Sequence, residues 1–185
     1  MIYGNKIRLR AQERDDLPRA VQWLADPEVR AGIAIFLPMS LDDEVKWYEE
    51  MRQREPALRI FAIEAKADTG WVHIGNCGFH EIVWRDRHAE FGIMIGDRNY
   101  WSQGYGTDAV RTLVTLGFGQ LNLDKIFLRV FDFNVRAIRC YEKAGFVVEG
   151  RLRRHHYHDG RYYDELIMGL LREEWQAQKA ENAKV

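Results

Sequence analysis

A chain of 185 residues, 46% hydrophobic and 30% charged, is expected to fold as one domain with a full core. A formal net charge of −1 is less basic than a protein living on nucleic acid would carry, so nucleic acid is not the expected main partner. No apolar run reaches the roughly 18 residues of a membrane span, the charged start MIYGNKIRLRAQERDD lacks a leader pattern, and Cys77 and Cys140 make no disulfide framework, so a cytoplasmic protein is expected.

Residues 6–11, KIRLRA, alternate and predict a first strand. RDDLPRAVQWLAD predicts a helix with Pro18 in its first turn, ended by Asp26 and Pro27. SLDDEVKWYEEMRQ predicts a second, with Ser40 as N-cap and Asp43 three residues on. Residues 59–65, 70–84 and 88–96 predict an antiparallel meander, its second strand interrupted near Gly75 to Gly78. A helix over about 106–120 follows, with Val110, Leu113, Val114, Gly117, Phe118 and Leu121 at helical spacing. KIFLRVF, 125–131, predicts another strand. Asn134 then caps a helix that Gly145 closes. FVVEGRLRRHHYH and RYYDELIMGLLR predict a hairpin turned by Asp159-Gly160. A polar, partly helical tail runs over 173–185, outside a single-domain core of 6–172.

The stretch NYWSQGYGTDAVRTLV sets Gly104 and Gly106 at the mouth of a helix. Free N–H groups and the helix dipole make such a mouth an anion site, and glycine lets a ligand approach the backbone. A nucleotide P-loop would need Lys after Gly106, where Thr107 stands. A dinucleotide loop is matched by Gly104, Gly106 and Ala109, and Asp132 lies near the distance of a ribose-binding acid. Against it, GDRNYWSQ separates the preceding strand from Gly104. A coenzyme A pyrophosphate loop is the third reading.

The order of elements bears on that choice. EFGIMIGDRNYWSQGYGTDAVRTLVTLGF followed by NVRAIRCYEKAGFVVEGRLR resembles the GNAT superfamily of acyl-CoA-dependent N-acyltransferases, and the resemblance spans residues 6 to about 172. Within it the chain is most similar to the branch of ribosomal-protein N-terminal acetyltransferases and spermidine N-acetyltransferases, as is DGRYYDELIMGLLREEW. The resemblance implies an α/β fold: a mixed, mostly antiparallel central sheet, helices on both faces, and a parallel pair, EFGIMI and KIFLRVF, splayed at the cofactor. It implies acetyl-CoA as acyl donor and no metal. Ile93, Met94 and Ile95 would meet pantetheine through their backbone. Trp101, Ser102, Gln103, Gly104, Tyr105, Gly106 and Thr107 would hold the pyrophosphate, with Asn134 and Ala137 further along the cofactor. The family usually has Gln or Arg where Trp101 stands, so that contact is lost or taken over by Gln103.

Acetyl transfer to an amine sets three chemical tasks. The amine, with a pKa near 10, must lose a proton, the oxyanion needs a donor, and the thiolate needs a proton. By resemblance Tyr141 protonates the sulfur, although its position also suits a core aromatic. A backbone N–H near Met94 would serve the oxyanion. Glu90 is the candidate base, directly or through water, unless it is a surface carboxylate paired with Arg85 or Arg87. His155, His156 and His158 lack the partners of a metal site and read as a polar strand beside the acceptor cleft. The expected activity is N-acetylation of a primary amine by direct attack, on a protein N-terminus, a polyamine or a small molecule. The expected protein partner is a second copy of the chain in a dimer, with no nucleic acid or membrane. A dinucleotide-dependent oxidoreductase and a non-catalytic acyl-CoA sensor are the alternatives; Tyr141 argues against the sensor.

Overall fold

The protein is described here by a computed structural model covering residues 1–68 and 70–182. A two-residue strand β1 (Ile2–Tyr3) precedes the predicted first strand, β2 (Ile7–Ala11). The first predicted helix ends at Asp26 and Pro27 as expected, but its first turn is 3-10 and a short helix follows it. A 3-10 turn over Arg14–Asp16 leads into α1 (Leu17–Ala25), and Pro27 opens a further short helix, α2 (Pro27–Arg30). Asp26 accounts for the break, because its side chain accepts the N–H of Glu28 and caps the new turn. Helix α3 (Leu41–Arg52) begins with the predicted reciprocal capping of Ser40 and Asp43.

The meander is β3 (Phe61–Ala67), β4 (Gly70–Val83) and β5 (His88–Ile95). Strand β4 runs unbroken through Gly75 to Gly78, where an interruption was expected. Its irregularities bracket the glycines instead: the register shifts beside Ile74 and again at His80. Helix α4 (Tyr105–Gly119), β6 (Lys125–Phe131) and α5 (Val135–Lys143) follow, then β7 (Val147–His158) and β8 (Arg161–Leu171). Asp159 and Gly160, with φ of 46° and 79°, give the hairpin turn its two left-handed residues. The expected tail forms α6 (Arg172–Asn182), which sets Trp175 against Phe118; 183–185 lie outside the described residues.

The strands make one sheet in the order β1-β2-β3-β4-β5-β6-β8-β7. All neighbours are antiparallel except β5 and β6. The main core packs α4 and α5 onto one face, around Phe79, Phe91, Leu113, Phe118, Ile126 and Leu128. A smaller cluster of Leu17, Tyr48, Met51 and Ile60 joins α1 and α3 to the sheet. The parallel pair therefore lies in the middle of the sheet, between helix-covered flanks.

Candidate active site

Strands β5 and β6 pair only from His88 to Glu90, opposite Lys125 to Phe127. Past Glu90 they diverge, so the β6-facing edge of β5 is free over residues 91–95. Backbone groups on a free edge need partners, and an extended amide-bearing ligand supplies them. The opening leads into a cavity of about 760 Å³ between β5, β6, α4 and α5. Ile93, Met94 and Ile95 line one side, and Arg129 and Val130 the other.

The glycine loop closes one end. Gly104 is the N-cap of α4 with φ of 88°, which an L side chain adopts only at a cost. A Cβ there would meet nothing closer than Lys6 Nζ at 3.9 Å, so the requirement is one of backbone conformation rather than space. Ser102 also has positive φ, at 59°. Ser102, Gly104, Gly106 and Thr107 line the cavity, and Lys6, Arg111, Arg136, Arg139 and Lys143 surround it with positive charge. Free N–H groups and this charge suit a pyrophosphate. Asp108 does not spoil the anion site, because its carboxylate accepts the backbone N–H groups of Asn5, Lys6 and Ile7 at 3.1, 2.7 and 3.1 Å. The β1–β2 turn is thereby tied to α4, a contact with no signal in the local sequence.

Trp101 lines the cavity without taking over a charged contact. Its indole N–H donates to the Ile95 carbonyl at 2.7 Å, and the Arg136 guanidinium lies 3.3 Å from the ring centroid. Gln103 turns away: its amide donates to the Asn99 carbonyl, and its own carbonyl accepts from Lys6. Gln103 therefore does not take over the contact at Trp101; Arg136 stacks on the ring, with Arg98 5.6 Å from the centroid on its own approach. Tyr105 packs edge-on against Tyr100 and is not a lining residue. Asn134 caps α5 through Ala137 N–H at 3.2 Å, and both residues line the cavity.

Tyr141 faces the same space from α5, half-way between core and cavity. It is 7% exposed and packs edge-on against Phe91. Burial, with a smaller push from Cys140, raises its pKa well above the ordinary 10, so the phenol keeps its proton throughout the neutral range. Glu90 lies on the opposite face of β5 from Phe91 and is not a lining residue. It pairs with Arg129 at 3.4 Å, not with Arg85 or Arg87, which reach Asp86 and Asp124. Asp132 pairs with Arg151 at 3.3 Å, away from the glycine loop, which removes the ribose acid of the dinucleotide reading. His156 and His158 stack with Phe131 and Phe133 on the β7–β8 hairpin, while His155 approaches Glu165 at 3.6 Å.

A family profile described as an acetyltransferase (GNAT) domain matches residues 6–147. The chain belongs to the GNAT acetyltransferases. N-acetyltransferase p20 of Bacillus licheniformis is 31% identical over 94% of this chain and 97% of its own length. Spermidine N(1)-acetyltransferase of Vibrio cholerae is 30% identical over 93% of this chain and 96% of its own. A crystal structure of spermidine N-acetyltransferase from Vibrio cholerae with CoA and spermine superposes with a TM-score of 0.83, at 29% identity, over 92% of this chain and 98% of that one. As a GNAT acetyltransferase the protein takes acetyl-CoA as acyl donor. Its own features fit that substrate: a free strand edge for the pantetheine amides, a helix mouth for the pyrophosphate, and a basic rim. The glycine loop is accordingly not a dinucleotide site. Among the described residues, no helix is long and apolar enough to cross a membrane.

His80 was not foreseen. It is the extra residue of the second β4 irregularity, and its ring lies over Gly92. Nothing in the local sequence marks it, because bulge position depends on pairing between strands.

Proposed function

We propose that the protein acetylates a primary amine by direct attack on acetyl-CoA, with a polyamine as the first acceptor to test. The observation that carries this reading is that Tyr141, the glycine loop and the free β5 edge line one cavity. The two Vibrio cholerae comparisons support the acceptor class, since they concern proteins named for spermidine.

Pantetheine amides would pair with residues 93–95, and a backbone N–H near Met94 would take the oxyanion. Ser102, Gly104, Gly106 and Thr107 would hold the pyrophosphate, with Arg136 as the neighbouring cation. The acceptor would approach on the face of β5 that carries Glu90. Glu90 draws the ammonium in and marks the side on which its proton leaves. As the C–S bond breaks, the sulfur takes the phenolic proton of Tyr141.

Thermal unfolding with CoA, acetyl-CoA and NADH, then turnover on spermidine, a serine-initiated peptide and lysine, tests this. A ligand at 100 times its Kd adds about 2.7 kcal/mol, a rise in Tm of roughly 5–10 °C for a chain of this size. Both CoA species should give it and NADH should not. A CoA shift without turnover of any amine would favour the sensor reading.

A further inference from the structure

Phe79 pairs with Phe91 and Glu81 with Glu90, which leaves His80 as an additional residue between them. A bulge sets two residues against one on the partner strand and re-aims a side chain, a device concentrated next to active sites. Phe79 is fully buried on the core face, whereas His80 and Glu81 are exposed beside Glu90. The imidazole lies across the backbone of Gly92, where a Cβ would stand 2.1 Å from Nε2 and 2.9 Å from Cε1. Gly92 sits between Glu90 and Met94 on one face of β5, next to the cavity-lining Ile93. Among the described residues the hydrogen bond of His80 is made by its carbonyl, which accepts from Arg54, and not by the ring. Glu90, by contrast, already holds the Arg129 guanidinium.

We propose that His80 is the catalytic base of the acetyl transfer, taking a proton from the acceptor ammonium at Nε2 while Glu90 steadies the imidazolium. This rests on the acetyl-transfer reading above. The ammonium loses one proton to His80, and the freed lone pair attacks the thioester carbonyl carbon. The C–S bond then breaks and sulfur takes the proton of Tyr141. The second nitrogen proton passes through water to the Tyr141 phenolate, and His80 releases its proton to solvent, so one proton is set free per turnover. The charged groups facing the ring are Glu81 beside it, Glu90 with Arg129 across the sheet, and Arg54 after α3. Loss of hydration at the ring lowers its pKa from the ordinary 6.5; Glu90 opposes this and Arg54 adds to it. The imidazole is thus neutral, and able to accept a proton, at pH 7.

The test is the pH dependence of kcat for the full chain, wild type against His80→Gln, with spermidine and the rest of the amine panel. The expected result is a loss of about 100- to 10,000-fold in kcat at pH 7. The KM for acetyl-CoA should stay within about two-fold, and activity should recover as pH rises toward the pKa of the amine itself. A second variant keeps the test independent of one fold. Gly92→Ala puts a Cβ where the ring now lies and displaces it, so it should lower kcat by a larger factor in the wild type than in the His80→Gln background; equal factors in both overturn the proposal. Unchanged kcat and an unchanged acidic limb in His80→Gln overturn the proposal. So does a limb that Glu90→Gln abolishes and His80→Gln preserves. A wild type that acetylates no panel amine overturns the acetyl-transfer reading instead, and this proposal with it.

Discussion

Tyr141 occupies two settings at once: its ring belongs to the core beside Phe91 and Phe146, and its face belongs to the cavity. Tyr141→Phe keeps the ring and removes the proton, so the fold should survive. We expect kcat to fall roughly 100- to 10,000-fold, as for loss of one acid–base group. The KM for acetyl-CoA should hardly move, because the change acts on the leaving thiolate and not on cofactor binding. Steady-state kinetics on the best panel amine measure both. At this scale the glycine loop was legible, because a left-handed cap at a helix mouth admits few residue types and Gly104 announces it. His80 was illegible for the opposite reason. Its orientation comes from an extra residue in a ladder, and the residue types on either side carry no trace of that.

At the scale of elements, helix starts were read well because their caps are local. Ser40 with Asp43 and Asn134 with Ala137 each lie within one turn. The join between α4 and the β1–β2 turn depends instead on Asp108 reaching residues about a hundred positions away. Hydrogen bonds to a charged group contribute about 1.5–3 kcal/mol, and solvent screens part of that at this partly exposed site. Asp108→Ala should therefore cost about 2 kcal/mol, seen as a lower urea midpoint with the slope unchanged. It should also weaken CoA binding, because the turn carries Lys6, whose ammonium holds the Gln103 carbonyl of the glycine loop at 3.0 Å. The predicted helix over 14–26 ends where expected, and the short helix after it starts for a reason that was present in the sequence. Asp26-Pro27 is both a stop and a fresh N-cap.

At the scale of the whole molecule, a buried charge network ties β2, β3 and β4 to the start of α1. Arg10 bonds Asp16 at 2.7 Å and Glu64 at 2.8 Å, and His73 lies 3.4 Å from Asp16. Burial alone would raise Asp16 and Glu64, but hydrogen bonds from Arg10, and from Arg8 to Glu64, hold both below their ordinary 3.8 and 4.5. Burial also holds His73, 6% exposed, below its ordinary 6.5, with Asn76 opposing. In each case the unfolded chain binds protons first as pH falls, so stability is present above the ordinary values and lost below them. Glu44 acts in the other direction, since burial raises it. Urea midpoints should be flat between about pH 7 and 8, begin to fall below 6.5 as unfolded His73 charges, fall faster below 4.5, and fall again above about 9 as the unfolded thiols and the Tyr141 phenol ionise. His73→Gln should shrink the first part of that decline, to which His80 and His156 also contribute, and leave the second.

By itself the sequence determined most of the elements and the anion-binding character of the helix mouth, because these depend on periodicity, caps and glycines that act within a few residues, and its resemblance to known sequences pointed to the family. The tertiary structure alone decided that β8 enters between β6 and β7, that Glu90 is the point at which β5 and β6 part, that Arg136 stacks on Trp101, that Glu90 holds Arg129, and that His80 lies on Gly92. Each of these is a contact between residues far apart in the chain. The register and packing of the sheet choose such contacts, and no local residue preference encodes that choice.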